Sequence, residues 1–220
     1  MHIALKNISY TYSQKPILSD IHLDIQSWDW VAFYWASGSG KTTLLRIVGT
    51  LLRAQSGVYN IDHKTLYSFW LSELRSLRKN RFWYIFSDHH FIENFSAREN
   101  ILLSHTLSHL PIDMKRMEML VDILDIGEYL DQKVAFLSTG QRERMAVIAG
   151  LIHTPDCIII DEPWSSLHTD MRNTLYTLLE AERTRWVIIV SASHDPLLQI
   201  HTTQSYSLYD STLHPVTSLK

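Results

Sequence analysis

A single cysteine, Cys157, is the only thiol in this 220-residue chain, so no internal disulfide framework holds it together. That is consistent with a reducing compartment, and the apolar residues after Cys157 make it a packing residue rather than a nucleophile. An excess of charge of one sign is also missing. With 20 Lys and Arg against 23 Asp and Glu the net charge is −3, which gives no dominant attraction to nucleic acid or to an acidic membrane. No run approaches the roughly eighteen uninterrupted apolar residues of a membrane span. The start, Met1-His2-Ile3-Ala4-Leu5-Lys6, lacks the basic-then-apolar layout of a secretory signal. Internal repeats, low-complexity tracts and long linkers are absent. The 12 histidines are scattered, and His89-His90 lack a nearby ligand set, which argues against a structural metal. What is present is an ordinary globular composition, 45% hydrophobic and 20% charged, long enough for one domain with a substantial core.

Hydrophobic periodicity supplies the coarse architecture. Residues 3–25 alternate in short β-like runs, broken at Ser13-Gln14-Lys15-Pro16. Residues 31–34 form a continuous apolar run, the pattern of a strand buried on both faces. From Thr43 to Leu52 the residues Leu44, Leu45, Ile47, Val48, Leu51 and Leu52 recur at helical spacing, completing a strand–loop–helix unit. Asp113 reads as the N-cap of a helix whose face is Met114, Met117, Leu120, Val121 and Leu124, with Gly127 as its stop. A mainly helical insertion spans about 88–150. Residues 157–160 and 187–190 read as buried strands separated by a helix near 169–183, and 206–216 as a hairpin turning at Asp210-Ser211. Strands alternating with helices predict a parallel α/β sheet.

The chemistry concentrates in four places. Gly38-Ser39-Gly40-Lys41-Thr42-Thr43 has the small residues that let backbone N–H groups approach phosphate oxygens at a helix start. In such a loop Lys41 reaches the β- and γ-phosphates and the Thr42 hydroxyl ligates Mg²⁺. Trp35 stands where the first Gly of G-x-x-x-x-G-K-[ST] belongs and crowds the strand exit. Downstream, the apolar run 158–160 ends in Asp161-Glu162-Pro163, presenting two acids at the carboxyl edge of a parallel sheet. Asp161 suits Mg²⁺ and Glu162 suits a general base, although Asp-Glu-Pro also simply leaves a strand and caps a helix. Ser138-Thr139-Gly140-Gln141 is a capping box, and a capped helix start is also an anion site. His194 follows the last apolar strand and precedes Asp195-Pro196.

Leu137-Ser138-Thr139-Gly140-Gln141 lies between the phosphate loop and the Asp-Glu pair, with His194 following, and in that order these motifs resemble the ATP-binding cassette (ABC) transporter ATPases over nearly the whole chain. The resemblance implies a P-loop NTPase (RecA-like) α/β core with an antiparallel β subdomain and an inserted α-helical subdomain, all within one domain over 1–220. It implies an ATP- and Mg²⁺-dependent ATPase whose head-to-tail homodimer or heterodimer drives transmembrane permease subunits from the cytoplasmic, inner face of the membrane, with no nucleic-acid partner. On that reading Tyr12 stacks on adenine, Tyr10 being the other register, while Ser37, Gly38, Ser39, Gly40, Lys41, Thr42 and Thr43 bind ATP. Thr42 and Asp161 hold the metal, and Glu162 and His194 act on the attacking water and γ-phosphate. Ser138, Thr139, Gly140 and Gln141 meet the ATP of the opposite protomer. Ser96-Ala97-Arg98-Glu99-Asn100-Ile101 resembles the segment after the Q-loop, and Ser165-Ser166-Leu167-His168 the D-loop.

The departures from the family pattern are specific. Trp28 replaces a turn glycine, Ser87 the Q-loop glutamine, Thr139 the first glycine of the signature and His168 the D-loop aspartate. Together with Trp35 they motivate an alternative, a degenerate nucleotide-binding subunit paired with a catalytic paralogue. A GTPase is disfavoured because no Asn-Lys-x-Asp motif is present, and a DNA-repair ABC ATPase because no coiled-coil or zinc insertion is. The compact length is loosely similar to exporter or lipoprotein-release ATPases and names no cargo.

Overall fold

In the computed structural model of the chain, residues 1–34, 40–86, 91–108, 111–162, 166–193 and 195–216 are described. In chain order the strands are β1 (His2–Tyr12), β2 (Lys15–Gln26), β3 (Trp30–Tyr34), β4 (Ser56–Ile61), β5 (Lys64–Thr65), β6 (Phe82–Phe86), β7 (Cys157–Asp161), β8 (Ile188–Ala192), β9 (Gln204–Tyr209) and β10 (Thr212–Pro215). The α-helices are α1 (Lys41–Val48), α2 (Leu71–Arg81), α3 (Ala97–Ser108), α4 (Met114–Ile123), α5 (Thr139–Leu151) and α6 (Thr169–Arg183). Strands β2-β1-β4-β5 make an antiparallel sheet, and β10-β9-β3-β8-β7-β6 a second, larger one.

In the larger sheet β9, β3, β8, β7 and β6 run parallel, and β10 closes one edge antiparallel. The sheet is therefore mixed rather than purely parallel, because the tail hairpin turns at Asp210 (φ 46°) and Ser211 (φ 63°) and returns β10 along β9. Its central strands are buried on both faces. Trp30 and Ala32 pack with residues of α5 and α6, whereas the alternating Val31 and Phe33 pack with α1 and the antiparallel sheet. Cys157 is buried in this second layer, and burial pushes its thiol far above the usual range.

Two helix ends differ from the periodicity. Helix α1 stops at Val48 rather than Leu52: Gly49 caps it, Thr50 turns left-handed (φ 62°), and Leu51 is exposed. At Gly49 a Cβ would sit 2.8 Å from the Tyr84 ring, so this position admits no side chain. Asp113 does cap α4, accepting the Arg116 N–H at 3.0 Å. That helix ends at Ile123, however, with Asp125 left-handed (φ 48°), and Gly127 opens a separate 3-10 turn. Met114 faces solvent, whereas Met117, Leu120, Val121 and Leu124 are buried.

Helices α3, α4 and α5 all lie between β6 and β7 in the chain. Their joint with the core is aromatic. Trp83 of β6 lies against Gly150 of α5, where a Cβ would meet its ring at 2.4 Å. The His153 ring stacks on Trp83 at 4.6 Å and on His105 of α3 at 3.8 Å. Just before the starts of β3 and β8, Trp28 and Trp186 both adopt left-handed backbone (φ 72° and 70°) and lay their exposed rings together, centroids 5.7 Å apart.

Candidate nucleotide-binding site

Strand β3 delivers the chain to the carboxyl edge of the large sheet and α1 carries it away. The connecting Trp35, Ser37, Gly38 and Ser39 lie outside the described residues, as do Ser87, Ser165 and His194. Gly40, at the junction, has φ 106°, and a Cβ there would lie 2.5 Å from Ile17, so only glycine fits. The Gly40 carbonyl accepts the Leu44 N–H at 2.9 Å and starts α1. No acidic residue of α1 itself occupies its first turn, so any negative charge at its positive dipole end comes from outside the helix.

Lys41 and Thr42 on that turn face the end of β7. The Thr42 hydroxyl donates to Asp161 Oδ2 at 2.8 Å, and the Lys41 ammonium pairs with Glu162 Oε1. Desolvation lowers the Lys41 pKa, and the Asp161 charge opposes that shift. Asp161 is 8% exposed. Glu162 holds a left-handed backbone (φ 46°) and ties its N–H to the Ala192 carbonyl of β8 at 3.0 Å. A helix start with an ammonium and a hydroxyl thus confronts two carboxylates. The cationic side suits a polyanion, and the hydroxyl–carboxylate pair offers the hard oxygen ligands that Mg²⁺ prefers.

Among the described residues, Gly40, Lys41, Thr42, Asp161 and Glu162 form one cluster. Thr43 follows on the same turn of α1. Tyr12 ends β1 and is 55% exposed, its ring edge-on to Tyr10 at 5.3 Å. Ser138, Thr139, Gly140 and Gln141 stand apart as the start of α5. There Ser138 Oγ accepts the Gln141 N–H at 3.3 Å, and Ser138 N–H donates to Gln141 Oε1 at 2.7 Å, completing the capping box. His168 is the N-cap of α6 but makes no side-chain cap.

The motifs did not point to a polar network beside this edge. Asp195 Oδ2 accepts the Tyr176 hydroxyl at 2.8 Å and an Arg172 N–H at 3.3 Å, fastening the loop after β8 to α6. Burial first, and then Asp195, raise the Tyr176 pKa. Tyr34, at the exit of β3, is also buried, and its phenol is pushed up to about 12. Tyrosine on the buried face of α6 beside Leu175 and Leu179 was the one available signal.

A strand–loop–helix carrying Gly40-Lys41-Thr42, set against an Asp-Glu pair at the end of a parallel strand, defines a P-loop nucleotide-binding protein. The profile of the family described as ABC transporter matches residues 18–165. The chain is 31% identical to the lipoprotein-releasing system ATP-binding protein LolD of Bacteroides fragilis, over 96% of this chain and 99% of that relative. It is 32% identical to the macrolide export ATP-binding/permease protein MacB 1/2 of Paracoccus denitrificans over 82% of this chain, but spans only 27% of that longer relative. The dimeric ATP-binding cassette MJ0796, in a post-hydrolysis state bound to ADP and Pi, shares the fold with a TM-score of 0.87 over 99% of both chains, at 23% identity. The chain belongs to the ABC transporter family, as an ATP-binding and ATP-hydrolysing cassette.

Proposed function

We propose that this cassette hydrolyses Mg-ATP at the cluster around Lys41, with Glu162 as general base, and closes against a second cassette to power a transmembrane permease. The Lys41–Glu162 pair beside the Thr42–Asp161 hydrogen bond carries the reading. Lys41 exchanges its carboxylate for the β- and γ-phosphates, and the Glu162 carboxylate is then released to accept a proton from water attacking the γ-phosphate. Its left-handed backbone and the bond to Ala192 hold it at the sheet edge. Thr42 and Asp161 would hold Mg²⁺, which when bound neutralises phosphate charge. Tyr12, half-exposed at the end of β1, offers its ring to adenine. Gly40 and Thr43, with Ser37, Gly38 and Ser39, supply the rest of the phosphate loop. The capped start of α5, Ser138 to Gln141, presents N–H groups and a hydroxyl to the ATP held by the second cassette, of the same or a different kind. His194 is the γ-phosphate contact.

The permease surface is apolar. Ile92, Phe95 and Phe136 are exposed on two segments that hydrogen-bond to each other, Val134 N–H to the Phe95 carbonyl at 3.0 Å and Ala135 N–H to that of Glu93 at 3.1 Å. The cassette is held peripherally, on the cytoplasmic face, through that surface; no helix among the described residues is long and apolar enough to cross a membrane. General-base catalysis is worth roughly 10²–10⁴-fold. Glu162→Gln therefore retains ATP binding and loses at least about a hundredfold in steady-state turnover. Turnover equal to the parent overturns the assignment.

A further inference from the structure

The net charge of −3 conceals a basic stretch. Between Lys64 and Arg81 the chain holds five cations and one acid, Glu73. That acid is committed: Glu73 Oε1 accepts from the Lys64 ammonium at 2.9 Å, and Oε2 from the Trp70 backbone N–H at 2.7 Å. Two of the cations turn inward. Arg78 donates to Thr50, and Arg81 pairs with Asp62 and Asp156 at 2.6 and 2.5 Å. Arg75 and Lys79 are exposed, and with Leu71 they recur every fourth residue along one line of α2. Ser72, Ser76 and Asn80, on the adjacent line, are exposed and uncharged. The solvent face of α2 is therefore cationic, and the one acid of the helix is already paired.

The head of this face is bulky and apolar. Trp70 is 78% exposed and Leu71 75%. Trp70 sits at the N-cap of α2, but its side chain makes no cap hydrogen bond, so capping does not account for it. Leu71 adds nothing to the core, where Leu77 is the buried residue of the helix. Just upstream, the Lys64 ammonium lies 4.3 Å over the Phe69 ring and the Arg53 guanidinium 4.4 Å over that of Tyr67. Single-stranded nucleic acid would need rings open for base stacking, and one face of each of these already carries a cation. The centre of a protein–protein interface is depleted in lysine. Tryptophan beside Lys and Arg is instead the composition of a membrane–water boundary, with the indole at headgroup level and the cations on phosphates.

We propose that Trp70, Leu71, Arg75 and Lys79 form a docking surface for anionic phospholipid. Trp70 and Leu71 enter the boundary between headgroups and acyl chains, and Arg75 and Lys79 meet the lipid phosphates. This hold on the membrane is separate from the apolar permease surface of Ile92, Phe95 and Phe136. It does not depend on which residue is the catalytic base. Because its cations are exposed, it weakens as salt is added.

The full chain is sedimented with sucrose-loaded vesicles, either an equimolar mixture of phosphatidylglycerol and phosphatidylcholine or phosphatidylcholine alone. Binding to the mixed vesicles is expected to be at least about tenfold the tighter at about 0.1 M salt and to be lost at about 1 M. At about fivefold for each cation, Arg75→Gln combined with Lys79→Gln weakens it about twenty-five-fold. Trp70→Ser combined with Leu71→Ser weakens it at least about tenfold. Phe136→Ser binds like the parent. A parent protein that ignores the mixed vesicles, equal binding to phosphatidylcholine alone, or double variants that bind like the parent each overturn the proposal. Loss in Phe136→Ser with both double variants unaffected also overturns it, moving the lipid contact to the permease surface. Polyglutamate or a single-stranded oligonucleotide, bound through Arg75 and Lys79 more tightly than the vesicles, overturns the choice of lipid in favour of an acidic protein or a nucleic acid. If the Trp70–Leu71 double variant melts early, the Arg75–Lys79 one decides. Parent-like binding there overturns the proposal, and the expected loss with unchanged melting sustains it.

Discussion

Replacing His153 with Phe isolates one ionisation at the joint between the inserted helices and the core. The His153 imidazole is stacked between Trp83 and His105, with interplanar angles of 24° and 25°. Burial, and then the neighbouring His105, hold its pKa down from the ordinary 6.5 to about 4. Between those values the unfolded chain binds a proton that the folded chain refuses. The stabilisation is complete above pH 6.5, declines as the pH falls, and is exhausted below about pH 4. At 1.36 kcal/mol for each tenfold change in proton affinity, the full effect is about 3 kcal/mol, of which about 2 kcal/mol is gone by pH 5. His105, lowered by burial as well, acts in the same direction. Phe keeps the stacking surface and removes the proton. The assay is urea unfolding at pH 7.5 and pH 5, followed by tryptophan fluorescence and far-UV circular dichroism to verify a single transition. The His153→Phe protein should lose about 2 kcal/mol less than the parent on acidification. Carboxylates elsewhere titrate equally in both proteins and cancel. Parallel pH profiles would refute the buried neutral stack.

Two further substitutions probe packing and the polar network. Gly150→Ala drives a methyl into the Trp83 ring, at 2.4 Å from its nearest atoms, and should cost about 1–3 kcal/mol in thermal or urea melting; an unchanged melt would mean that Trp83 has room to turn aside. Tyr176→Phe removes a donor from the largely buried Asp195 carboxylate, so stability should fall by about 1.5–3 kcal/mol. A Tyr176→Phe protein as stable as its parent would show that the hydroxyl bond contributes nothing net.

The fold was legible where local pattern and burial coincide. The alternation of Leu18, Ile21, Leu23 and Ile25 marked β2, and the apolar run around Val31 marked β3. Helix α2 left no comparable trace, because Leu77 is its one buried residue and it runs straight into β6 at Phe82 with no glycine or proline between them. Helix ends were misplaced because Thr50 and Asp125, not glycines, take the left-handed turn. At the site, Thr42 and Asp161 were readable because phosphate chemistry constrains residue type and spacing. The Tyr176–Asp195 bond joins residues 19 positions apart, and no periodicity encodes it. Trp28 stood out as a misplaced bulky residue, yet its partner Trp186 became apparent only once the sheet brought the two turns together. Their stacking offsets part of the roughly 1–2 kcal/mol that each left-handed, β-carbon-bearing residue costs.

The position of β6 at the sheet edge has a consequence for synthesis. All five of its residues, Phe82-Trp83-Tyr84-Ile85-Phe86, are apolar or aromatic, and among the described residues its one strand neighbour is β7. That neighbour begins roughly seventy residues later, a delay on the order of 4–15 s at ribosomal speed. During that interval the nascent chain exposes a segment free of charge and proline, the composition that pairs with copies of itself. Arg78, Lys79 and Arg81, immediately upstream, provide the charged flank that discourages such pairing. Neutralising that flank would divert newly made chains into aggregates, so yield, more than activity, is where its loss would be felt.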